Sequence, residues 1–474
     1  MAFKDNRDFI AALEKTGDVV RIKNEVDWNL EAGGIVRRAN ELMAPAPFFE
    51  KIKDYPAGYR IFGAPLATHR RMAIAMGLEP DISVRDLQLE YERRIQRPIK
   101  PMIVTKAPCK ENILLGDDVD LYRFPAPMIH DGDGGRYLCT WNLDVCQDPD
   151  IEWTNWGLYR RMILNQRYLT GQCDSYSDQG RIFHEKYVPQ HKNLPVAVVI
   201  GADPICIMVA GSSFRIGESE VDYAGALSQA PVELVKCETS SLLVPAHAEI
   251  VIEAEIVHDV RVDEGPFGEF TGYRTPRMLE VLFDVKAITY RNDPILTMSC
   301  MGMPVDDAGL FRGIDSAVQV KRFLKQFAIS FTDVSVPAEA SQHLAIIGIK
   351  KNYNYSVSRL FNAICLYGRV PTTIVVDEDV DVFNMNEVIH ALVTKCHPVN
   401  GILVREGERV IPLTPYLTSK EKLASTGPKL LFDCTWPLDW PKETRVPPRM
   451  SFAEAYPEEI KQKILKNWKT YGYK

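Results

Sequence analysis

At 474 residues the chain is longer than one hydrophobic core usually serves, so two or three domains are expected. Apolar residues make up 46% and charged ones 25%, which excludes a disordered chain, and a formal net charge of −7 speaks against nucleic acid as a partner. Ten cysteines are scattered singly without a C-x-x-C pair, which disfavours a zinc ribbon or thioredoxin-like site and reads as reduced thiols in a cytoplasmic protein.

The opening MAFKDNRDFIAALEK carries early charges and lacks the apolar stretch of a signal peptide. Phe9, Ile10 and Leu13 recur at helical spacing, and Gly17 stands where a helix would stop. A strand over Val19–Ile22 and a second helix over Leu30–Leu42 follow, the alternation of an α/β unit. Further on, β-rich runs dominate: Tyr137–Val145, Val196–Ile200, Ile205–Ala210, Glu249–Ile256, Leu279–Thr289 and Ile295–Ser299, separated by turn residues. They predict an antiparallel barrel or sandwich. The longest apolar stretch, Val196–Ala210, is interrupted by Asp203 and Pro204 and is too short to span a bilayer, so no membrane role is expected.

After about residue 310, helices alternate with strands again. Leu344–Ile349 and Thr373–Val376 read as buried strands, Glu387–Thr394 and Glu458–Trp468 as helices. The Pro-rich Trp436–Pro448 predicts an extended arm, and a terminal helix on such an arm suits the clasping of a second copy. The expected division is roughly 1–120, 121–310 and 311–474.

The familiar catalytic motifs are missing: no G-x-x-x-x-G-K-[ST], no G-x-G-x-x-G opening a helix, no H-E-x-x-H and no G-x-S-x-G. Four segments remain. In Glu264-Gly-Pro-Phe-Gly-Glu269 two carboxylates flank a turn, and facing one cavity they would push one pKa up and make a proton donor. Taken alone, two surface acids on a solvated hairpin are the commoner reading. Trp153-Thr-Asn155-Trp156-Gly-Leu-Tyr-Arg160 offers a hard amide oxygen for manganese or magnesium and a guanidinium for a carboxylate, or else two core tryptophans and a surface arginine. Glu220, ahead of the small-residue run Ala224-Gly225-Ala226, is a metal ligand or an ordinary acid at a helix start. Val188-Pro-Gln190-His191 supplies an imidazole ligand and a hydrogen-bonding amide, or an exposed loop.

Taken in this order, these segments resemble the UbiD family of prenylated-FMN-dependent decarboxylases. Ala107-Pro-Cys-Lys-Glu-Asn112, Phe124-Pro-Ala-Pro127 with Asp133-Gly134-Gly135, and Val376-Asp-Glu-Asp-Val-Asp381 match as well. The Trp-Thr-Asn-Trp segment, Val235-Lys-Cys237 and the tail Asn467–Lys474 are most similar to the ferulic (cinnamic) acid decarboxylase branch. The resemblance implies an α+β and α/β multidomain fold. Its parts would be an N-terminal α/β domain, a central flavin-reductase-like split β-barrel holding the flavin, and a C-terminal α/β domain forming a homodimer or a dimer-based oligomer.

It implies reversible, non-oxidative decarboxylation of an aromatic, heteroaromatic or α,β-unsaturated acid, or of its coenzyme A thioester, through a covalent flavin adduct. Arg160, Glu264 and Glu269 match the catalytic set, with Glu269 the proton donor. Asn155, His191 and Glu220 match the ligands of a divalent cation, usually Mn2+. Gln190, Trp156 and Arg160 match cofactor contacts, and K+ is implied near Trp156 and Val209–Ser212. A flavin prenyltransferase is implied as supplier of the cofactor.

Two departures stand out. The segment between Arg160 and His191 is longer than in the ferulic acid branch, and counting without a gap puts Asp178, a carboxylate equally suited to manganese, in the place given to His191. Cys365 stands about where that branch has a cofactor-contacting lysine, with Arg369 as the substitute. Tyr187, Phe270 and Met303 are the candidate pocket residues. The rival readings are a carboxylase, or carboxylase subunit, running in reverse, and a flavin-binding scaffold without catalysis.

Overall fold

The computed structural model describes residues 3–353, 355–441 and 443–473, which leaves Met1, Ala2, Lys442 and Lys474 of the quoted segments outside the described residues. The first helix, Asn6–Thr16, buries Phe9, Ile10 and Leu13. The Asp5 side chain accepts from the Asp8 N–H to start it, and Gly17 ends it at φ 76, in the left-handed region that glycine enters without strain. The strand after it runs over Val19–Val26, longer than expected, and the second helix over Glu31–Glu41. Val19–Val26, Ala46–Ile52 and Arg60–Gly63 form a four-stranded sheet with Ile295–Met298, which pairs parallel to Arg60–Gly63 from more than two hundred residues away. Chain order groups Ile295–Ser299 with the barrel strands; the structure gives it to the first sheet, where all four residues of Ile295–Met298 are buried.

The second sheet has nine strands, every pair antiparallel. Its spatial order is Tyr137–Cys139, Arg161–Ile163, Tyr168–Gly171, Met278–Tyr290, Ile250–Glu264, Leu194–Ile200, Asn142–Gln147 and Thr154–Gly157, with Asn112–Leu115 also paired to Met278–Tyr290. Among the described residues the two outermost strands of that order do not pair with each other, so the sheet stays open at one side. The run Tyr137–Val145 is two strands rather than one: it breaks at Thr140-Trp141 and its halves pair with different partners.

Ile205–Ala210 is not a strand. It lies in the helix Pro204–Ala210, where Asp203 accepts from the Ile205 N–H, Pro204 supplies a helix-ready φ, and every residue is buried. A wholly apolar run carries no periodicity, so a buried helix reads like a buried strand.

The twenty-residue helix Asp307–Gln326 leads out of the barrel region into a five-stranded sheet ordered Asp333–Ser335, Leu344–Ile349, Thr372–Asp377, Thr426–Cys434 and Ile402–Arg409. Apolar clusters around Val375 and Val376 lie on its opposite faces, as a two-sided layer requires. Residues 436–448 contain turns but no helix or strand among those described, and the last α-helix, Glu458–Lys466, ends short of Trp468. Among the described residues no helix is long and apolar enough to cross a membrane.

Candidate active site

The two longest strands of the nine-stranded sheet, Ile250–Glu264 and Met278–Tyr290, form a hairpin whose connection spans residues 265–277. Glu264 ends the first strand and Glu269 sits in the connection, behind a two-residue strand pair of Phe267–Gly268 with Arg274–Thr275. Gly134 backs this loop: its N–H donates to the Pro266 carbonyl at 2.7 Å, and a Cβ there would lie 2.0 Å from the Gly265 carbonyl oxygen.

Arg160 enters from the short link ahead of the Arg161–Ile163 strand and meets both acids. Its Nε and Nη2 donate to the two oxygens of Glu264, each at 2.8 Å, and its Nη1 donates to Glu269. Nη1 also reaches Gln172 Oε1 at 2.9 Å and Nη2 reaches Thr275 Oγ1 at 3.4 Å, so all five guanidinium N–H groups are engaged. The three charged side chains are buried, and the Arg160 guanidinium lies 5.0 Å from the Phe267 ring centre. Burial opposes the charge on Arg160, but Glu269 and Glu264 outweigh it and hold the guanidinium firmly protonated. Arg161 points the other way, as neighbours in extended chain do, and pairs with the buried Asp144.

Further members of this cluster carry no mark in the sequence. Tyr137, on an edge strand, donates from its hydroxyl to Glu264 at 2.7 Å, while burial and then Glu264 hold its phenol well above the usual range. Glu280, on the strand returning from the loop, is raised to about 7 by burial and by the nearby charges of Asp174 and Glu264. Only their strand partners bring these residues to the site, and sequence spacing does not report strand pairing.

A second cluster lies at the Thr154–Gly157 strand. Asn155 is buried, and its amide donates only a long contact to Cys146 Sγ at 3.8 Å. Glu220, first residue of the helix Glu220–Ser228, accepts from the Trp156 N–H at 2.9 Å; burial raises its carboxyl to about 8 against the pull of that bond. Asp178 adds to the same rise; its own carboxyl is raised by burial, against the pull first of Arg181, which donates to it at 3.1 Å, and then of Arg369, in the turn ahead of the strand Thr372–Asp377. Two carboxylates and an amide oxygen, all hard donors, fit a divalent cation whose charge would replace the proton that burial favours.

His191 is not brought to this cluster. It is exposed in a left-handed turn, its ring edge-on to His258 at 5.8 Å, and Gln190 beside it is exposed with its amide donating to the Lys186 carbonyl. Cys365 also points elsewhere, buried in the apolar core beside the C-terminal sheet. Arg369 is exposed in the turn ahead of the strand Thr372–Asp377, near enough for its charge to act on Asp178. Phe270 is buried directly after Glu269, whereas Met303 is largely exposed and Tyr187 lines a separate surface depression of about 370 Å³ with Gln147, Asp148 and Asp150. Among the described residues no three His, Cys, Asp or Glu side chains converge as a metal site.

Comparison with known proteins matches three consecutive family models: the 3-octaprenyl-4-hydroxybenzoate carboxy-lyase N-terminal domain at residues 10–90, its Rift-related domain at 102–304 and its C-terminal domain at 311–434. The pyrrole-2-carboxylic acid decarboxylase of Pseudomonas aeruginosa is 33% identical over 99% of this chain and 98% of its own. Ferulic acid decarboxylase 1 of Saccharomyces cerevisiae is 31% identical over the same shares, in line with the branch resemblance read from the sequence. Among solved structures, the closed form of the vanillic acid decarboxylase of Sedimentibacter hydroxybenzoicus superposes with a TM-score of 0.87 at 29% identity, covering 99% of both chains. An evolved dimeric form of HmfF from Pelotomaculum thermopropionicum, in complex with prFMN, superposes with a TM-score of 0.80 at 25% identity over 95% of this chain and 97% of that one.

Proposed function

The chain belongs to the UbiD family of carboxy-lyases, and from that premise we propose that it removes carbon dioxide from an aromatic, heteroaromatic or α,β-unsaturated acid with the help of prenylated FMN. The observation that carries this reading is the buried set of Arg160, Glu264 and Glu269, one guanidinium between two carboxylates at the head of the longest hairpin. Prenylated FMN supplies, when bound, the electron sink that loss of carbon dioxide from an sp² carbon requires.

The protein's own part is positional and acid–base. Glu269 hands a proton to the carbon that loses its carboxylate. Arg160 fixes Glu269 at the loop, and Glu264 with the Tyr137 hydroxyl fixes Arg160, so the proton is delivered from one place. Phe267 and Phe270, both buried, keep bulk water from competing for that carbon. Asn155, Asp178 and Glu220 would hold a divalent cation, Mn2+ by donor type, and Arg369, whose charge acts on Asp178, would offer a counter-charge to an anionic cofactor group. We place Asp178 rather than His191 in the ligand set because its charge acts on Glu220 while His191 sits at an exposed turn. A monovalent cation such as K+ belongs near Trp156 and Val209–Ser212. The reverse carboxylation uses the same residues. A homodimer suits the exposed apolar side chains of the last segment, Ile460, Leu465 and Trp468.

The test is co-expression with a flavin prenyltransferase, followed by cofactor mass, native mass and a carbon dioxide release screen for the wild type and Glu269→Gln. The expected result is prenylated flavin in both proteins and turnover only in the wild type. Turnover by the variant would remove Glu269 as proton donor, and absence of flavin from both would favour a scaffold.

A further inference from the structure

Behind the loop that carries Glu269 lies a line of polar side chains that the acid–base set does not use. Asp133 is buried, and its carboxylate ties two distant parts of the chain together. Oδ2 accepts from the His130 backbone N–H at 3.0 Å and lies 3.1 Å from His130 Nδ1, while Oδ1 accepts from the Gly268 N–H at 3.2 Å. Gly268 is the residue before Glu269. The His130 ring packs on it so closely that a Cβ at Gly268 would stand 2.6 Å from both Cε1 and Nδ1.

The imidazole is held from its far side as well. Its Nε2 lies 3.4 Å from Sγ of Cys300, a fully buried residue. Burial pushes that thiol well above the usual range, so the sulfur keeps its proton and donates it to Nε2. Nδ1 then carries the ring proton and gives it to Asp133, which fixes one tautomer and one ring orientation. The Cys300 carbonyl in turn accepts from Arg37 Nη1 at 3.1 Å and from the buried Asn40 at 3.2 Å, both on the helix Glu31–Glu41. Thiol, imidazole and carboxylate in this order are also the parts of a nucleophilic site, but Cys300 offers no surface for a substrate to reach. The series instead joins the N-terminal layer to the backbone at Gly268.

Glu269 depends on its backbone for direction. Its Oε1 accepts from Arg160, while among the described residues Oε2 accepts only from the N–H of Phe270, next in the chain, at 3.3 Å. Resting on the decarboxylase reading, we propose that His130 and Asp133 are positioning residues for the reaction, fixing the Gly268 backbone so that the Glu269 carboxyl meets the carbon that has lost its carboxylate. They act through Gly268 and touch no reacting atom. The step they serve is the second of two. First a C–C bond breaks and carbon dioxide leaves, the electron pair staying with the substrate; then the substrate carbon takes the proton of Glu269. Loss of the brace slows the second step and leaves the first alone.

The test uses holoprotein of the wild type, Asp133→Asn, His130→Ala and His130→Asn. Four quantities are measured on each: product formation, exchange of labelled carbon dioxide into the acid, flavin content, and amide hydrogen exchange across residues 265–277. Asp133→Asn and His130→Ala should lose about 30-fold in kcat, with KM within about threefold and flavin unchanged, the scale of a donor held slightly out of place. Labelled carbon dioxide exchange needs no proton from Glu269, so its rate relative to product formation should rise about tenfold in the same variants. His130→Asn returns an N–H toward Asp133 and should recover most of the loss. A kcat near wild type in His130→Ala, loss of flavin, or carbon dioxide exchange that falls in step with product formation would overturn the assignment. If Asp133→Asn fails to fold, the two His130 variants still decide. Should the wild type turn over no acid, amide exchange decides: faster exchange across the loop in His130→Ala upholds the brace while the decarboxylase reading falls, and equal exchange overturns both.

Discussion

Arg160 holds Glu264 through two parallel hydrogen bonds, Nε to Oε1 and Nη2 to Oε2, both at 2.8 Å, and this fork is what sets the direction of its remaining Nη1 toward Glu269. A lysine keeps the charge but has no fork. Arg160→Lys should therefore fold and still bind flavin, yet lose about 100-fold in kcat, the scale seen when one preorganised donor is removed. Steady-state kinetics with cofactor quantitation checks this; a kcat within threefold of wild type would mean the fork does not position Glu269.

Glu280 gives a pH signature separable from catalysis. Burial and the nearby acids raise its folded pKa to about 7 from an ordinary 4.5, so folding favours its protonated form. Stability from this group is full below the unfolded value and is lost as pH rises through about 7. Glu280→Gln stays neutral throughout, so its melting temperature relative to wild type should climb between pH 5 and pH 8, by the equivalent of up to about 3 kcal/mol. Parallel curves for the two proteins over that window would show Glu280 to be ionised at little cost.

The metal ligands are separable by content rather than rate. Asp178→Ala should lose most of its manganese by elemental analysis, whereas His191→Ala, altered at an exposed turn, should keep it. The opposite pattern would return the third ligand position to His191.

That reversal shows where the sequence is legible. Glu264 and Glu269 are found together because one short loop carries both, and Arg160 because it follows a distinctive tryptophan segment. Pro-Gln-His is equally distinctive locally, but the fold leaves it at an exposed turn, while Asp178 opens the short helix Asp178–Arg181 near enough for its charge to act on Glu220. Tyr137 and Glu280 join the cluster through strand pairing, a relationship without a local signature. The same limit applies to the elements: Asn6–Thr16 shows its period and its stop, whereas Pro204–Ala210 and Ile295–Met298 are uniformly buried runs whose type or sheet only the tertiary partners decide.

Gly134 tests whether the loop itself, and not only its charged residues, sets activity. Its position leaves no room for a side chain, since a Cβ would meet the Gly265 carbonyl oxygen at 2.0 Å, backbone against backbone. Gly134→Ala must push the loop away and weaken the Gly134 N–H bond to the Pro266 carbonyl, now 2.7 Å. Glu269 lies three residues beyond Pro266, so a displacement near 1 Å reaches the proton donor and should cost about 100-fold in kcat. The nine-stranded sheet does not depend on that contact, so the far-ultraviolet spectrum should be unchanged. Kinetics and circular dichroism on the same preparation decide it: full activity in a folded Gly134→Ala protein would show that the loop tolerates the shift and that Arg160 alone keeps Glu269 in place.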